Sequence, residues 1–239
     1  MNDASSVALS AQLAALHQAD VIANNLANLS TTGYKGEHML FSQFLTQGSD
    51  GTPIAYVQEQ GTARDTTQGP ITQTNNPLDI AIRGDGYFTV QTPLGERYTR
   101  NGHFQLDASR QIVTSQGYPV LSDGNSPLVI PEGTGEITIG ADGTVGTSQG
   151  PIGKLGIASF GDPQAMTPTA GGFFTTSQTP QPPTDVKLQQ GSIEGSNVEP
   201  IIEITKLLNS ERNVDYTKSF ITTQATQTAN AIDRLGKTV

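Results

Sequence analysis

A chain of 239 residues with 34% hydrophobic and 6% aromatic residues, no Trp and no Cys is lean for a large enzyme core. It also excludes disulfides, thiolate-ligated zinc and thiol catalysis. The net charge of -9 repels a phosphate backbone, which removes nucleic acid as a main partner. No stretch approaches the run of about 18 apolar residues that crosses a bilayer. The first 30 residues hold no Lys or Arg and Asp20 breaks their apolar pattern, so no cleavable secretory signal is expected.

Residues 1–35 are expected to form an N-terminal helix. Leu9, Leu13, Leu16, Ala19, Ala23 and Leu26 step by three or four and mark one face. Ser5 or Ser6 suits the helix start, and the run Ser30-Thr31-Thr32-Gly33 its end. Asn24, Asn25 and Asn28 near that end have two readings: capping and turn formation, or side-chain amides bonding across subunits.

Residues 36–78 are rich in Gln, Thr and Gly with weak periodicity, which reads as an extended connector with one or two strands. Residues 79–195 are expected to form an all-β domain. Apolar residues alternate at Leu78, Ile80 and Ile82, then recur at Tyr87–Val90, Ile112-Val113, Val129-Ile130, Ile137–Ile139 and Leu155–Ile157. Between these runs lie Asp85-Gly86, Asn101-Gly102, Asp123-Gly124 and Asp142-Gly143, dipeptides that suit tight hairpins. Pro180, Pro182 and Pro183 make Thr175–Thr184 a loop or linker. Most of the net charge sits between Gly36 and Asn197, which holds 15 of the 22 acids and 7 of the 13 bases.

Residues 196–239 are expected to be a second helix, opened by Pro200. Leu207, Val214, Ile221, Thr228 and Leu235 are spaced by seven, with Ile204, Ala225 and Ile232 beside them, a coiled-coil-like seam that Glu211 and Lys218 weaken. The fold class is therefore α+β: amphipathic helices at the two ends, pairing in a coiled-coil-like unit, around a β-rich middle. Leu9, Leu13, Leu16, Leu26, Asn24, Asn25 and Asn28, with Ile204, Leu207, Val214, Ile221, Ile232 and Leu235, are the expected subunit contacts.

Chemistry is sparse. His17, His38 and His103 fall in three separate segments with no metal-ligand spacing, and no nucleophile elbow or phosphate loop occurs, so no catalytic residue, metal or cofactor is expected. Asp85 and Asp123-Gly124-Asn125 lack calcium-loop spacing and read as turns.

Four stretches carry a resemblance. Asn24-Asn25-Leu26-Ala27-Asn28-Leu29-Ser30-Thr31-Thr32-Gly33-Tyr34-Lys35 resembles the N-terminal signature of the flagellar basal-body rod and hook protein family. Asn76-Pro77-Leu78-Asp79-Ile80-Ala81-Ile82-Arg83-Gly84-Asp85-Gly86-Tyr87-Phe88 resembles its P-L-D strand pair. Tyr98-Thr99-Arg100-Asn101-Gly102-His103-Phe104 resembles its T-R-N-G hairpin. Gly191-Ser192-Ile193-Glu194-Gly195-Ser196-Asn197-Val198 resembles the entry to its C-terminal helix. Within the family, the short chain and Glu211–Tyr216 look more like the proximal than the distal rod branch. The motif residues singled out are Gly33, Tyr34, Lys35, Asp79, Gly84 and Asp85, then Gly86, Asn101, Gly102, Ser196, Asn197 and Val198.

The resemblance implies a structural, non-enzymatic subunit of the periplasmic rod that stacks helically into a hollow, torque-bearing shaft. It implies copies of itself and other rod proteins as partners, and uncleaved export through the flagellar type III apparatus. The terminal helices would line the inner tube, ordering as copies pack. Three other readings stand beside it: a distal rod protein of the same family, a β protein binding or cleaving glycans with paired acids such as Asp79 and Asp85, and a secreted β-rich adhesin with helical oligomerisation ends. The absence of Trp and the scarcity of aromatics count against a sugar site.

Overall fold

The computed structural model describes residues 2–47 and 53–236, with side chains from residue 5 onward. Met1, residues 48–52 of the expected connector, and Lys237 with the last two residues lie outside them. The class is α+β, with a helix at each end and a β-rich middle. Contacts divide the chain into one unit of Met1–Ala27, Glu37–Asp65 and Glu199–Val239, and another of Asn28–Gly36 and Thr66–Val198.

The first unit holds α1 (Asn2–Ala27), β1 (Glu37–Gln47), β2 (Pro53–Arg64) and α2 (Pro200–Gly236). Helix α1 starts at Asn2, ahead of the serines expected to open it, because Ala and Leu dominate its length and neither Gly nor Pro interrupts it. Helix α2 has Pro200 in its first turn, Glu203 near its N-terminus and Arg234 in its last turn, matching the helix dipole. Its many threonines are poor helix formers, yet Thr205, Thr217, Thr222, Thr226 and Thr228 each bond a carbonyl four residues back.

The helices pack antiparallel. Ser5 meets Gln224 at 3.0 Å, the Ser210 hydroxyl donates to the Ala15 carbonyl at 2.6 Å, and Asn25 donates to Glu203 at 3.1 Å. Toward α1, α2 presents Glu203, Leu207, Ser210, Val214, Thr217 and Ile221, spaced alternately by four and three and wholly or half buried. The expected seven-residue line therefore forms part of the inner face, and the polar residues between its members bond across it. Glu211 and Lys218 are exposed and off this line. Leu235 is 72% exposed, since the 37-residue α2 outruns the 26-residue α1.

On α1 the inner face differs from the one expected. Ala8, Ala14, Ala15, Ile22 and Asn25 are buried, while Leu9, Leu13 and Leu16 stay outside at 51, 47 and 43% exposure. Small side chains allow the close backbone approach that the Ser210–Ala15 bond requires; leucines there would hold the helices apart.

The expected connector begins with a long hairpin. Strands β1 and β2 pair antiparallel from Glu37↔Arg64 to Gln47↔Pro53, with a bulge after Leu40.

The second unit contains fourteen strands among the described residues. They are β3 (Ile71–Gln73), β4 (Ile80–Arg83), β5 (Tyr87–Thr92), β6 (Gly95–Thr99), β7 (Phe104–Leu106), β8 (Ile112–Thr114) and β9 (Thr138–Ile139). After them come β10 (Thr144–Thr147), β11 (Gly150–Lys154), β12 (Ile157–Ala158), β13 (Thr167–Thr169), β14 (Phe173–Thr175), β15 (Lys187–Gln190) and β16 (Ser192–Glu194). A five-stranded sheet has the order β12-β5-β6-β14-β13 and a three-stranded one β11-β10-β9; β15 pairs β4, β16 pairs β3 and β7 pairs β8. The core is built on Ile80, Ile82, Phe88, Phe104, Ile112 and Ile130, with Phe88 and Phe104 edge to face at 5.0 Å. Burying each such side chain is worth roughly 1.5–3 kcal/mol.

Two of the four expected turn dipeptides make hairpins. Gly143 has φ +90 between β9 and β10, and in the Asp123-Gly124 turn the positive φ falls on Asn125. The other two are corners between sheets. Strand β4 pairs with β15 from the far end of the unit, and β5 pairs with β6 and β12, so Asp85-Gly86 carries the chain from one sheet to another. Asn101-Gly102 likewise leads from β6 to the β7–β8 pair. Gly102 is needed there for space: a Cβ would sit 1.7 Å from the Ile80 carbonyl oxygen, on the backbone that bonds Ile80 N to Gly102 O. Gly102→Ala is expected to destabilise this unit by about 3 kcal/mol, read from urea unfolding of the full chain. A shift under about 1 kcal/mol would show that the corner relaxes freely.

Among the described residues no helix is long and apolar enough to cross a membrane.

Candidate assembly surfaces

The chemistry-bearing residues fall into an internal framework and an outer apolar surface. In the β unit, three of the motif segments meet on one carboxylate. Glu194 on β16 is 1% exposed. Its Oε1 accepts from Lys35 Nζ at 2.6 Å and from Gly69 N at 3.1 Å. Its Oε2 accepts from Arg100 Nε at 3.1 Å and lies 3.0 Å from Arg100 Nη2. Arg100 Nη1 donates onward to the carbonyls of Gly84 and Gly86 at 2.8 and 2.6 Å, and Lys35 Nζ to the Thr67 carbonyl at 2.6 Å. Lys35 and Arg100 are 4 and 5% exposed, so all three charges are removed from water and survive because each is bonded.

The other motif residues hold this framework. Gly33 has φ +69 and donates its N–H to the Glu194 carbonyl at 2.8 Å; a Cβ there would meet the Arg100 backbone at 2.6 Å. The Tyr34 carbonyl accepts from Asn197 N, and Asn197 Oδ1 accepts from Gly36 N at 2.8 Å. The Ser196 hydroxyl accepts from Val198 N at 3.3 Å. Asp79 is buried and bonds His103 Nδ1 at 2.7 Å and Asn76 Nδ2 at 3.0 Å, while Asn101 Oδ1 accepts from His103 N. Asp85 is exposed on its corner, whereas Asp79 is enclosed with its carboxylate engaged. Sequence reasoning singled out Lys35 but passed over Arg100 and Glu194, although both stand within the quoted motifs.

In the helix–hairpin unit, Leu9, Leu13, Leu16, Asn24, Ile204, Ile232 and Leu235 are exposed. Leu26, Leu207, Val214 and Ile221 are half buried; Asn28, in the turn after α1, is also half buried and accepts from the Thr31 hydroxyl at 3.0 Å. Asn25 is 3% exposed and clips the unit internally, donating to the Glu37 carbonyl at 2.7 Å and to Glu203, and accepting from Glu37 N at 2.9 Å. With its amide used inside the chain, Asn25 is a poor candidate for bonding between copies.

The outer surface is unusually apolar. Sixteen of the eighteen exposed large hydrophobics among the described residues lie in this unit, all but Leu94 and Val129. Besides the α1 leucines they include Phe41, Phe44 and Leu45 on β1 and Ile201, Leu208 and Phe220 on α2. The hairpin residues were missed because the weak periodicity of their segment reflects exposure on both faces of a two-stranded ribbon. Such a ribbon is marginal alone in water.

One contact in the unit involves a histidine whose protonation its partner favours. His17 Nδ1 lies 2.9 Å from both oxygens of Glu59 on β2. The hydrogen bond to Glu59, then its charge, with a further push from Asp20, holds the imidazole above its usual value. A raised histidine stabilises most below its unfolded value, and the contribution is lost as pH rises through the folded value. An NMR titration is expected to show a His17 midpoint above that of a free imidazole, falling in Glu59→Gln. An unchanged midpoint in that variant would remove the pair as the cause.

Comparison with known proteins identifies the family. A family model described as "Flagella basal body rod protein" matches residues 6–35, and one described as "Flagellar hook protein FlgE/F/G D1 domain" matches residues 81–147. The flagellar basal-body rod protein FlgF of Caulobacter vibrioides is 37% identical, covering 99% of each chain. FlgF of Salmonella typhimurium is 31% identical over 93% of this chain and 94% of its own. The rod protein FlgG of Bacillus subtilis is 31% identical, over 85% of this chain and 88% of its own. The chain belongs to the flagellar basal-body rod protein family.

Proposed function

We propose that this chain is a structural building block of the flagellar basal-body rod, joined to its neighbours through the outer faces of α1, α2 and the β1–β2 hairpin. The observation that carries this reading is the concentration of exposed large hydrophobics in the helix–hairpin unit. An apolar surface of that extent on a lone chain marks a contact site. In the assembled state Leu9, Leu13, Leu16 and Ile204 pack against other copies or related rod subunits, adding coiled-coil-like contacts to the intramolecular pair. Long helices sharing many contacts resist shear, which suits a shaft that carries torque from motor to hook. The role is structural and not catalytic.

Uncleaved export through the flagellar type III apparatus to a periplasmic rod belongs to the same reading. A chain without cysteine has no disulfide to undo before passing a channel unfolded. Helices whose inner faces mix a few large apolar side chains with alanine and polar ones are marginal before assembly, and their order rises when copies bury the leucine faces.

Amide hydrogen exchange tests this. On assembly, exchange in α1 and α2 is expected to slow by orders of magnitude, while the Phe88 and Phe104 strands, already protected, change little. Equal helix exchange in free and assembled chains would overturn the assignment of these faces.

A further inference from the structure

The β unit carries a feature that rod assembly through the helices does not use: a cleft of about 590 Å³ on the face that β5, β6 and β12 present. Its apolar lining comes from Leu155, Ile157 and Val186, with Pro180, Pro182 and Pro183 of the proline-rich loop as one wall. Gln181 fixes that loop by exchanging backbone bonds with Ser159 at 2.9 and 3.0 Å.

The polar lining is unbalanced, with Glu96, Asp123 and Asp142 against Lys154 alone. Asp142 is held ionised by the Thr144 hydroxyl and N–H at 2.7 and 3.1 Å, with the nearby Lys154 charge contributing. Glu96 is oriented by Asn125 Nδ2 at 2.7 Å on Oε1. Asp123 has no ion-pair partner among the described residues.

An independent feature points to a ligand. Tyr98, two residues from Glu96 on the same face of β6, is 7% exposed, and its ring packs edge-on against Phe160 at 4.7 Å. Its hydroxyl has no hydrogen-bond partner among the described residues, and no fully buried side-chain polar atom goes unbonded, so the hydroxyl reaches the cleft that Tyr98 lines. Burial and the Glu96 charge hold the phenol above its usual value, so it stays neutral and can accept or donate. A nearly buried tyrosine that keeps only its hydroxyl free is prepared for a polar partner.

We propose that this cleft is a docking site for a lysine- or arginine-bearing segment of another polypeptide. The cationic head sits among Glu96, Asp123 and the Tyr98 hydroxyl, and its aliphatic stem lies along Ile157 and Pro182. A cation matches the surplus of carboxylates, and an alkyl stem matches the apolar lining. A sugar fits less well, since the ring of Tyr98 is buried edge-on and offers no flat stacking face. The proposal concerns the β unit alone and goes beyond the assembly role of the helices.

The test uses the full chain and a blocked hexapeptide alternating Ala and Lys, with norleucine replacing Lys as control and chitotriose as the sugar probe. NMR of the ¹⁵N-labelled protein is expected to show saturable shifts at Thr89, Tyr98 and Ile157 with the lysine peptide and none with norleucine. Glu96→Gln is expected to weaken binding about tenfold and Tyr98→Phe about fivefold. The thermal midpoint of Tyr98→Phe should be unchanged because the ring remains. Absence of saturable shifts, equal binding of the norleucine peptide, stronger binding of chitotriose, or indifference to Glu96→Gln would each overturn the proposal.

Discussion

Replacing Glu194 by Ala is expected to destabilise the β unit by about 3–5 kcal/mol, the usual loss when one member of a buried ion cluster is removed. The substitution leaves Lys35 and Arg100 in place, both almost wholly buried, with no anion between them. Lys35 Nζ keeps the Thr67 carbonyl but loses its bond to the carboxylate, and Gly69 N loses its acceptor. Arg100 retains the Gly84 and Gly86 carbonyls and its place over the Tyr87 ring at 5.8 Å, so the guanidinium stays oriented while its charge is uncompensated.

Two further variants separate charge from shape. Glu194→Gln keeps the volume and one acceptor, and is expected to fall between wild type and Ala. Replacing Lys35, Arg100 and Glu194 together by Met, Met and Leu is expected to be less damaging than Glu194→Ala, because no charge is then stranded. Urea unfolding followed by circular dichroism measures all three. If Glu194→Ala shifts stability by under about 1 kcal/mol, solvent reaches the cluster and the framework is not held by this carboxylate.

That cluster shows how much was legible beforehand. Lys35, Arg100 and Glu194 all stand in segments whose pattern could be read, yet Lys35 and Glu194 are 159 positions apart. Nothing local in a strand of three residues marks Glu194 as buried, since burial is decided by the β16–β3 pairing. The terminal helices were readable because their periods are long and regular. Their inner faces were less so: on α1 the leucines dominate the apolar pattern, while the alanines pack inward. Hydrophobic pattern identifies a face that avoids water without saying whether its partner is in the same chain. The turn dipeptides failed in the same way at Asp85-Gly86 and Asn101-Gly102, where the pairing of β4 with β15, remote in sequence, made corners of what read as hairpins.

Leu13→Asp is expected to abolish rod assembly and motility while leaving the isolated chain folded. Leu13 is 47% exposed on the outer stripe of α1, with Leu9 and Leu16 one turn to either side. In the free chain the aspartate stands in water, and the change costs roughly half a kcal/mol through helix propensity. In the assembled state the same carboxylate must leave water for an apolar contact, at several kcal/mol if unpaired. On the proposed reading, each copy in the rod bears that penalty. Ile221→Asp provides the contrast, because Ile221 is half buried on the face of α2 that meets α1; it is expected to lower helix content in the monomer as well as prevent assembly. Circular dichroism of the two purified variants, with motility and the rod content of isolated basal bodies, distinguishes them. Normal motility in Leu13→Asp would mean that the leucine stripe faces solvent in the rod and that other exposed faces of the helix–hairpin unit carry the contacts.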